Sequence, residues 1–173
     1  MTARTTYPQV RFGGLRPWRL QLFLAALFLL SLSAAPALAA SLPDAFVGKF
    51  RGVLTSGTGE VEGDFTLTAK ATRYGFTMSW PTNEDVEFEV TNQKNIFHAQ
   101  TDGRTIEGAP VRWARMEDGK LVVYSLRIDE HGGYDVDTLI YSPMPNGLVL
   151  TMRRLRTGSQ PLESTGKLER YGQ

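Results

Sequence analysis

From residue 45 to the C-terminus, apolar residues recur at every second position in short runs. The 3.6-residue spacing of an amphipathic helix is almost absent. Phe76, Met78 and Trp80 share one side of a run. Val86, Phe88 and Val90 share another, against Asp85, Glu87 and Glu89. Earlier in the chain, Phe46, Gly48, Phe50, Gly52 and Leu54 alternate with Val47, Lys49, Arg51 and Val53. Val61, Phe65 and Leu67 alternate with Glu62, Asp64, Thr66 and Thr68. Turn chemistry divides the runs at Gly57-Thr58-Gly59, Pro81-Thr82-Asn83, Asn92-Gln93, Asp102-Gly103, Asp118-Gly119, Gly132-Gly133, Asn146-Gly147 and Gly158-Ser159. Asp-Gly and Asn-Gly reach positive φ at little cost and suit tight hairpins. Division at these points predicts about ten strands, near 45–55, 60–70, 73–80, 84–91, 95–101, 109–117, 120–129, 133–142, 147–156 and 161–171. Successive hairpins form an antiparallel meander, and closure removes its two exposed edges. The fold class expected is therefore all-β, an up-and-down antiparallel barrel of about ten strands.

The second half of the chain permits a register. A two-residue turn at Asp118-Gly119 sets Glu117 opposite Lys120, Arg115 opposite Val122, Trp113 opposite Tyr124 and Val111 opposite Leu126. A loop centred on Gly132 carries that face to Val136, Thr138 and Ile140. A loop over 143–147 carries it on to Leu148, Leu150, Met152 and Arg154. The other face reads Arg112, Ala114, Met116, Val123, Ser125, Arg127, Asp135, Asp137 and Leu139, with Arg127 facing Asp137 on the outside. Because the first face is the more apolar, it is expected to point inward.

The first forty residues have a different character. Arg4, Arg11, Arg16 and Arg19 stand there with no acid, followed by the apolar run 22–30 and by Ala37-Leu38-Ala39. A basic region, a short apolar region and a small-residue site in this order read as a secretory signal peptide, residues 1–39, cleaved after Ala39 or Ala40. The run is short for a spanning helix. The expected product is one periplasmic or secreted domain, residues 40–173, and not an integral membrane protein. Beyond the leader, 15 basic and 18 acidic residues remain. That slightly acidic body argues against nucleic-acid binding, which needs a basic footprint. The chain has no cysteine, which rules out disulfides, thiolate metal sites and cysteine nucleophiles.

Phe46-Val47-Gly48-Lys49-Phe50 resembles the F-x-G-x-W opening of the lipocalin and fatty-acid-binding protein superfamily, with Phe50 where that family prefers Trp. The resemblance implies an up-and-down barrel. It also implies a basic residue on the last strand packed over that ring, a part open to Arg170 here.

Candidate chemistry centres on Arg115 and Arg154, placed by the register among Trp113, Tyr124, Leu126, Ile140, Leu150 and Met152. An arginine fork matches a carboxylate or phosphate, and an apolar chamber with few polar groups suits a small ligand. The expected ligand is a hydrophobic or amphipathic small molecule with an anionic head, held by Arg115, Arg154, Tyr124, Trp113 and Met152. The resemblance leans the same way. The alternative is an envelope interaction protein with a side-chain-filled barrel, docking a partner through an apolar outer patch around Leu139, Tyr141 and Val149. Asp129, Glu130, His131, Asp135 and Asp137 gather near one hairpin but lack a calcium-loop pattern. His98 is the one histidine that is a candidate for the barrel interior, and alternation leaves its side ambiguous. No nucleophile elbow, zinc-protease helix motif, P-loop or dinucleotide fingerprint is present. A third reading, a barrel enzyme acting on a lipid-like compound of a kind no motif reveals, stays open; enzymatic activity is undecided, leaning no, and no cofactor or metal is expected.

Overall fold

The computed structural model describes residues 41–81, 85–100 and 108–172. The expected leader and its cleavage site lie outside the described residues, as do Thr82-Asn83 and Asp102-Gly103 of the expected turns.

The described residues form a closed antiparallel barrel of ten strands. They are β1 (Gly48–Ser56), β2 (Val61–Thr72), β3 (Gly75–Ser79), β4 (Asp85–Val90), β5 (Ile96–Ala99), β6 (Val111–Glu117), β7 (Lys120–Ile128), β8 (Tyr134–Met144), β9 (Gly147–Arg156) and β10 (Leu162–Tyr171). Each strand is hydrogen-bonded to its sequence neighbours, and β1 closes the ring against β10. Connections therefore alternate between the two ends. The β1–β2, β3–β4, β5–β6, β7–β8 and β9–β10 connections gather at one end, called the mouth below.

The alternation in the first half places its residues as expected. Phe50, Leu67, Phe76, Met78 and Phe88 are buried, whereas Lys49, Asp85, Glu87 and Glu89 face water. Phe76 stacks on Phe88 with centroids 4.8 Å apart and meets Phe97 edge-on at 5.0 Å. Val61 departs from the pattern and is 71% exposed. The ladder slips between Leu54 and Thr55, so Thr55 faces Val61 while Leu54 faces Gly63. Glu62 is the extra residue of this bulge, and a bulge reverses the alternation on its far side.

The end opposite the mouth is filled. Residues Asp44–Phe46 form a 3₁₀ turn rather than the start of a strand, and Phe46 is buried with Leu42 in the core. The guanidinium of Arg170 lies over the Phe50 ring, 4.8 Å from its centroid. It donates hydrogen bonds to the carbonyls of Val47 and Ala45, the latter at 3.1 Å. One side chain thus ties the last strand to the first aromatic ring and to the turn that precedes it, in the part expected of Arg170.

The second half carries the main correction. The register of β6 on β7 is the expected one, with Trp113 facing Tyr124, whereas β8 sits two residues from its expected register on β7, with Tyr124 facing Thr138 and Arg127 facing Asp135. The β8–β9 connection is a two-residue turn rather than the expected five-residue loop over 143–147. Met144 faces Gly147, so Pro145 and Asn146 make the turn, and Ile140 faces Thr151 rather than joining the side of Leu150. A one-residue slip moves every later side chain to the other face. Leu148, Leu150 and Met152 point inward as expected, but on β6 to β8 the inward residues are Ala114, Leu121, Val123, Leu139 and Tyr141. The face of Trp113, Arg115 and Tyr124 is the outer one. Leu139 and Tyr141 are buried, so they cannot form the outer patch expected around them. Gly147 explains the misleading Asn-Gly signal. A Cβ at Gly147 would stand 1.9 Å from the Leu168 carbonyl oxygen, so the glycine serves close packing of β9 on β10 rather than the turn. At Asp118-Gly119 the positive φ values of 49° and 73° do belong to a turn of the mirror-image hairpin type.

Candidate functional site at the barrel mouth

On β9, alternation that buries Leu148, Leu150 and Met152 must also turn Arg154 inward. On β6 it turns Arg112 inward beyond Ala114, and on β8 it turns Asp137 inward beyond Leu139. These residues meet across the sheet. Arg112 faces Ser125, Ser125 faces Asp137, and Asp137 faces Arg154, so one rung of polar side chains crosses β6 to β9. A continuous set of rungs explains why an apolar barrel tolerates charge here: the charges are neighbours and the mouth is wet.

Arg154 Nε donates to Asp137 Oδ1 at 2.7 Å, with the two side chains 30% and 27% exposed. The bond to Asp137 pushes the Arg154 guanidinium above its already high pKa, against the opposing effect of burial. One rung further out, Arg156 Nε donates to Asp135 Oδ2 at 3.1 Å. Asp135 and not Asp137 stands opposite Arg127, and this acidic strand face is the inner one, which corrects the expected external pair. Arg112 lies 6.0 Å from the centroid of the Trp80 ring, within cation–π range.

Arg112, Ser125, Asp137 and Arg154 border a cavity of about 260 Å³, whose apolar wall is Phe65, Trp80, Val123, Leu139 and Met152. Its floor crosses the barrel. Trp80 Nε1, at the end of β3, donates to Tyr141 Oη on β8 at 3.0 Å, and β3 and β8 are diametrically opposed in the ring. Tyr141 is fully buried, which raises its hydroxyl pKa above the ordinary 10.0, against the smaller opposing effect of the Trp80 bond. Below that bond, large rings and leucines occupy the interior. The space is therefore a shallow mouth pocket rather than a deep chamber, small beside the roughly 300–1,000 Å³ of typical ligand sites.

Of the five residues expected to hold a ligand, Arg154 and Met152 line this pocket. Trp113, Tyr124 and Arg115 do not. They stand on the outer wall, where Trp113 stacks on Tyr124 at 5.0 Å with rings 11° from parallel. Arg115 lies 5.7 Å from the Tyr124 centroid and bridges Glu117 at 2.6 Å. Arg112 and Asp137 went unrecognised because the register assigned them to the outside. The buried run on β9, followed back through a Pro145-Asn146 turn, would have found both. His98 faces Trp113 on the outer wall and is exposed, so it belongs to no interior site. Asp129 serves its own hairpin, accepting from the amides of His131 and Gly133 at 2.9 and 2.8 Å. Among the described residues, no cluster of three His, Asp or Glu side chains is placed to hold a metal ion.

No protein-family model, curated protein or solved structure matches the chain.

Proposed function

We propose that this is an exported small-molecule-binding barrel, lipocalin-like in kind, whose ligand sits at the mouth. The ligand is a compact amphipathic anion. Its charged group meets Arg112 and Arg154, and its apolar part rests on Phe65, Leu139 and Met152. The observation that carries the reading is the placement of two arginines on the inner wall, at the rim of an apolar pocket of about 260 Å³. The leader-like first forty residues support export, and the Arg170–Phe50 stack beneath the F-x-G-x-F opening supports the lipocalin kinship.

The test is native mass spectrometry of the protein as the cell processes it, joined to a Trp-fluorescence titration with medium-chain carboxylates and their matching alcohols. Carboxylates should bind and alcohols should bind at least tenfold more weakly, because only the former engage the guanidinium. Arg154→Met and Arg112→Met should each lower carboxylate affinity about tenfold. A protein that purifies empty and ignores the whole panel to millimolar concentration sinks the proposal.

A further inference from the structure

The outer wall of the second half lacks the polarity that water demands. On β7 the outward residues are Val122, Tyr124, Leu126 and Ile128. On β8, outward positions from Tyr134 to Ser142 carry no charged side chain. Val122 is only 5% exposed yet lies outside the core cluster, covered by its neighbours on this wall. Leu155, at the far side, is 39% exposed. Contiguous apolar surface of this kind on a folded chain marks an interaction site.

We infer that this wall, centred on Trp113, Tyr124, Leu126, Val136 and Thr138, is the interface of a homodimer. Three observations select a second copy over other occupants. The barrel is closed, so an extended peptide has no free strand edge to join. The wall's border arginines are already matched within the chain, Arg115 to Glu117 at 2.6 Å and Arg153 to Glu163 at 2.8 Å. A border with both signs in balance suits its own image, whereas an anionic lipid surface would call for excess cations. The Trp113 and Tyr124 rings stack nearly parallel. Four strands, β6 to β9, about 4.8 Å apart and about seven residues long span roughly 19 by 24 Å. That flat extent is roughly half of the ~800 Å² per partner that a standard interface takes. A two-fold axis lying in the contact would set tyrosine and tryptophan near the centre, where interface energy concentrates.

The chain's lack of cysteine makes the test clean. The full-length chain, as the cell processes it, should sediment as a dimer at micromolar concentration. Trp113→Glu and Leu126→Glu should each weaken association by about 30-fold or more. Single cysteines give a reading independent of any disturbance of the barrel by a charged variant. Thr138→Cys, in the middle of the wall, should oxidise to a covalent dimer. Thr68→Cys, outward on β2 across the ring, should not. A wild-type monomer at all concentrations, or equal cross-linking at both positions, overturns the inference. So does a monomer that floats with anionic vesicles, which would hand the wall to lipid.

Discussion

Around this barrel the outer wall changes character while the inner wall keeps it. On β2 the outward residues run Asp64, Thr66, Thr68 and Lys70, and on β4 they are Asp85, Glu87 and Glu89. On β6 to β8 the same positions hold Val111, Trp113, Tyr124, Leu126, Val136 and Ile140. The inner wall is apolar around the whole ring except at the mouth, where Arg112, Asp137 and Arg154 stand in one rung. Hydrophobic alternation therefore names the inner face only where the outer face meets water. In β6 to β8 the outer strip is the more apolar of the two near the mouth, so the rule pointed the wrong way.

The largest expected effects separate core from wall. Phe88→Ala removes a ring stacked on Phe76 inside the first half and should cost about 3–5 kcal/mol in urea denaturation. Its outward neighbour Glu87→Ala should stay within about 0.5 kcal/mol. Similar losses at both positions would contradict the sidedness of β4. Next comes Gly147→Ala, which tests the turn that reverses the second half. With a backbone oxygen 1.9 Å from the added methyl, the strand must shift, at a cost of about 3 kcal/mol. If Gly147 were only a turn residue, the loss would fall near 1 kcal/mol, and the register on β9 would need revision.

An alkaline titration reads the interior of the second half directly. Burial raises the Tyr141 pKa in the folded state above 10.0, so the folded protein holds this proton after the unfolded chain has released it. The stabilisation is complete below pH 10 and fades as pH climbs from 10 toward the folded value. A single such proton gives a slope of about 1.4 kcal/mol per pH unit in that window. Tyr141→Phe should flatten the decline in unfolding free energy above pH 10, and an unchanged slope would place the tyrosine outside the core. The smallest effect belongs to the wall. Trp113→Ala should lower the stability of the isolated barrel by about 1 kcal/mol, the worth of its stack on Tyr124, far below Phe88→Ala. Parity between the two would mean that Trp113 is buried in the barrel itself.

Ten strands, most of their boundaries and the β6–β7 register were legible in the sequence, because period-2 alternation and turn residues are local properties; the Arg170–Phe50 contact was expected from the F-x-G-x-W resemblance alone. The same local reading recognised Arg154 and Met152 as inward, from the apolar run that precedes them on β9. It missed Arg112 and Asp137, and it took Trp113, Tyr124 and Arg115 for pocket residues. Both errors trace to the five-residue loop expected over 143–147: the turn is the two residues Pro145-Asn146, and that change from an odd to an even count puts Leu139 and Tyr141, not Thr138 and Ile140, on the side of Leu150.

The sequence by itself determined that the chain would be a closed antiparallel meander, since strand, turn and alternation are encoded within a few neighbouring residues. Only the tertiary structure decided which way β6 to β8 face, where the interior is full and where it opens. Those outcomes depend on how closely distant backbones approach, on the Trp80–Tyr141 bond across the ring, and on charges that become tolerable only when the fold brings Arg154 to Asp137 at a wet rim.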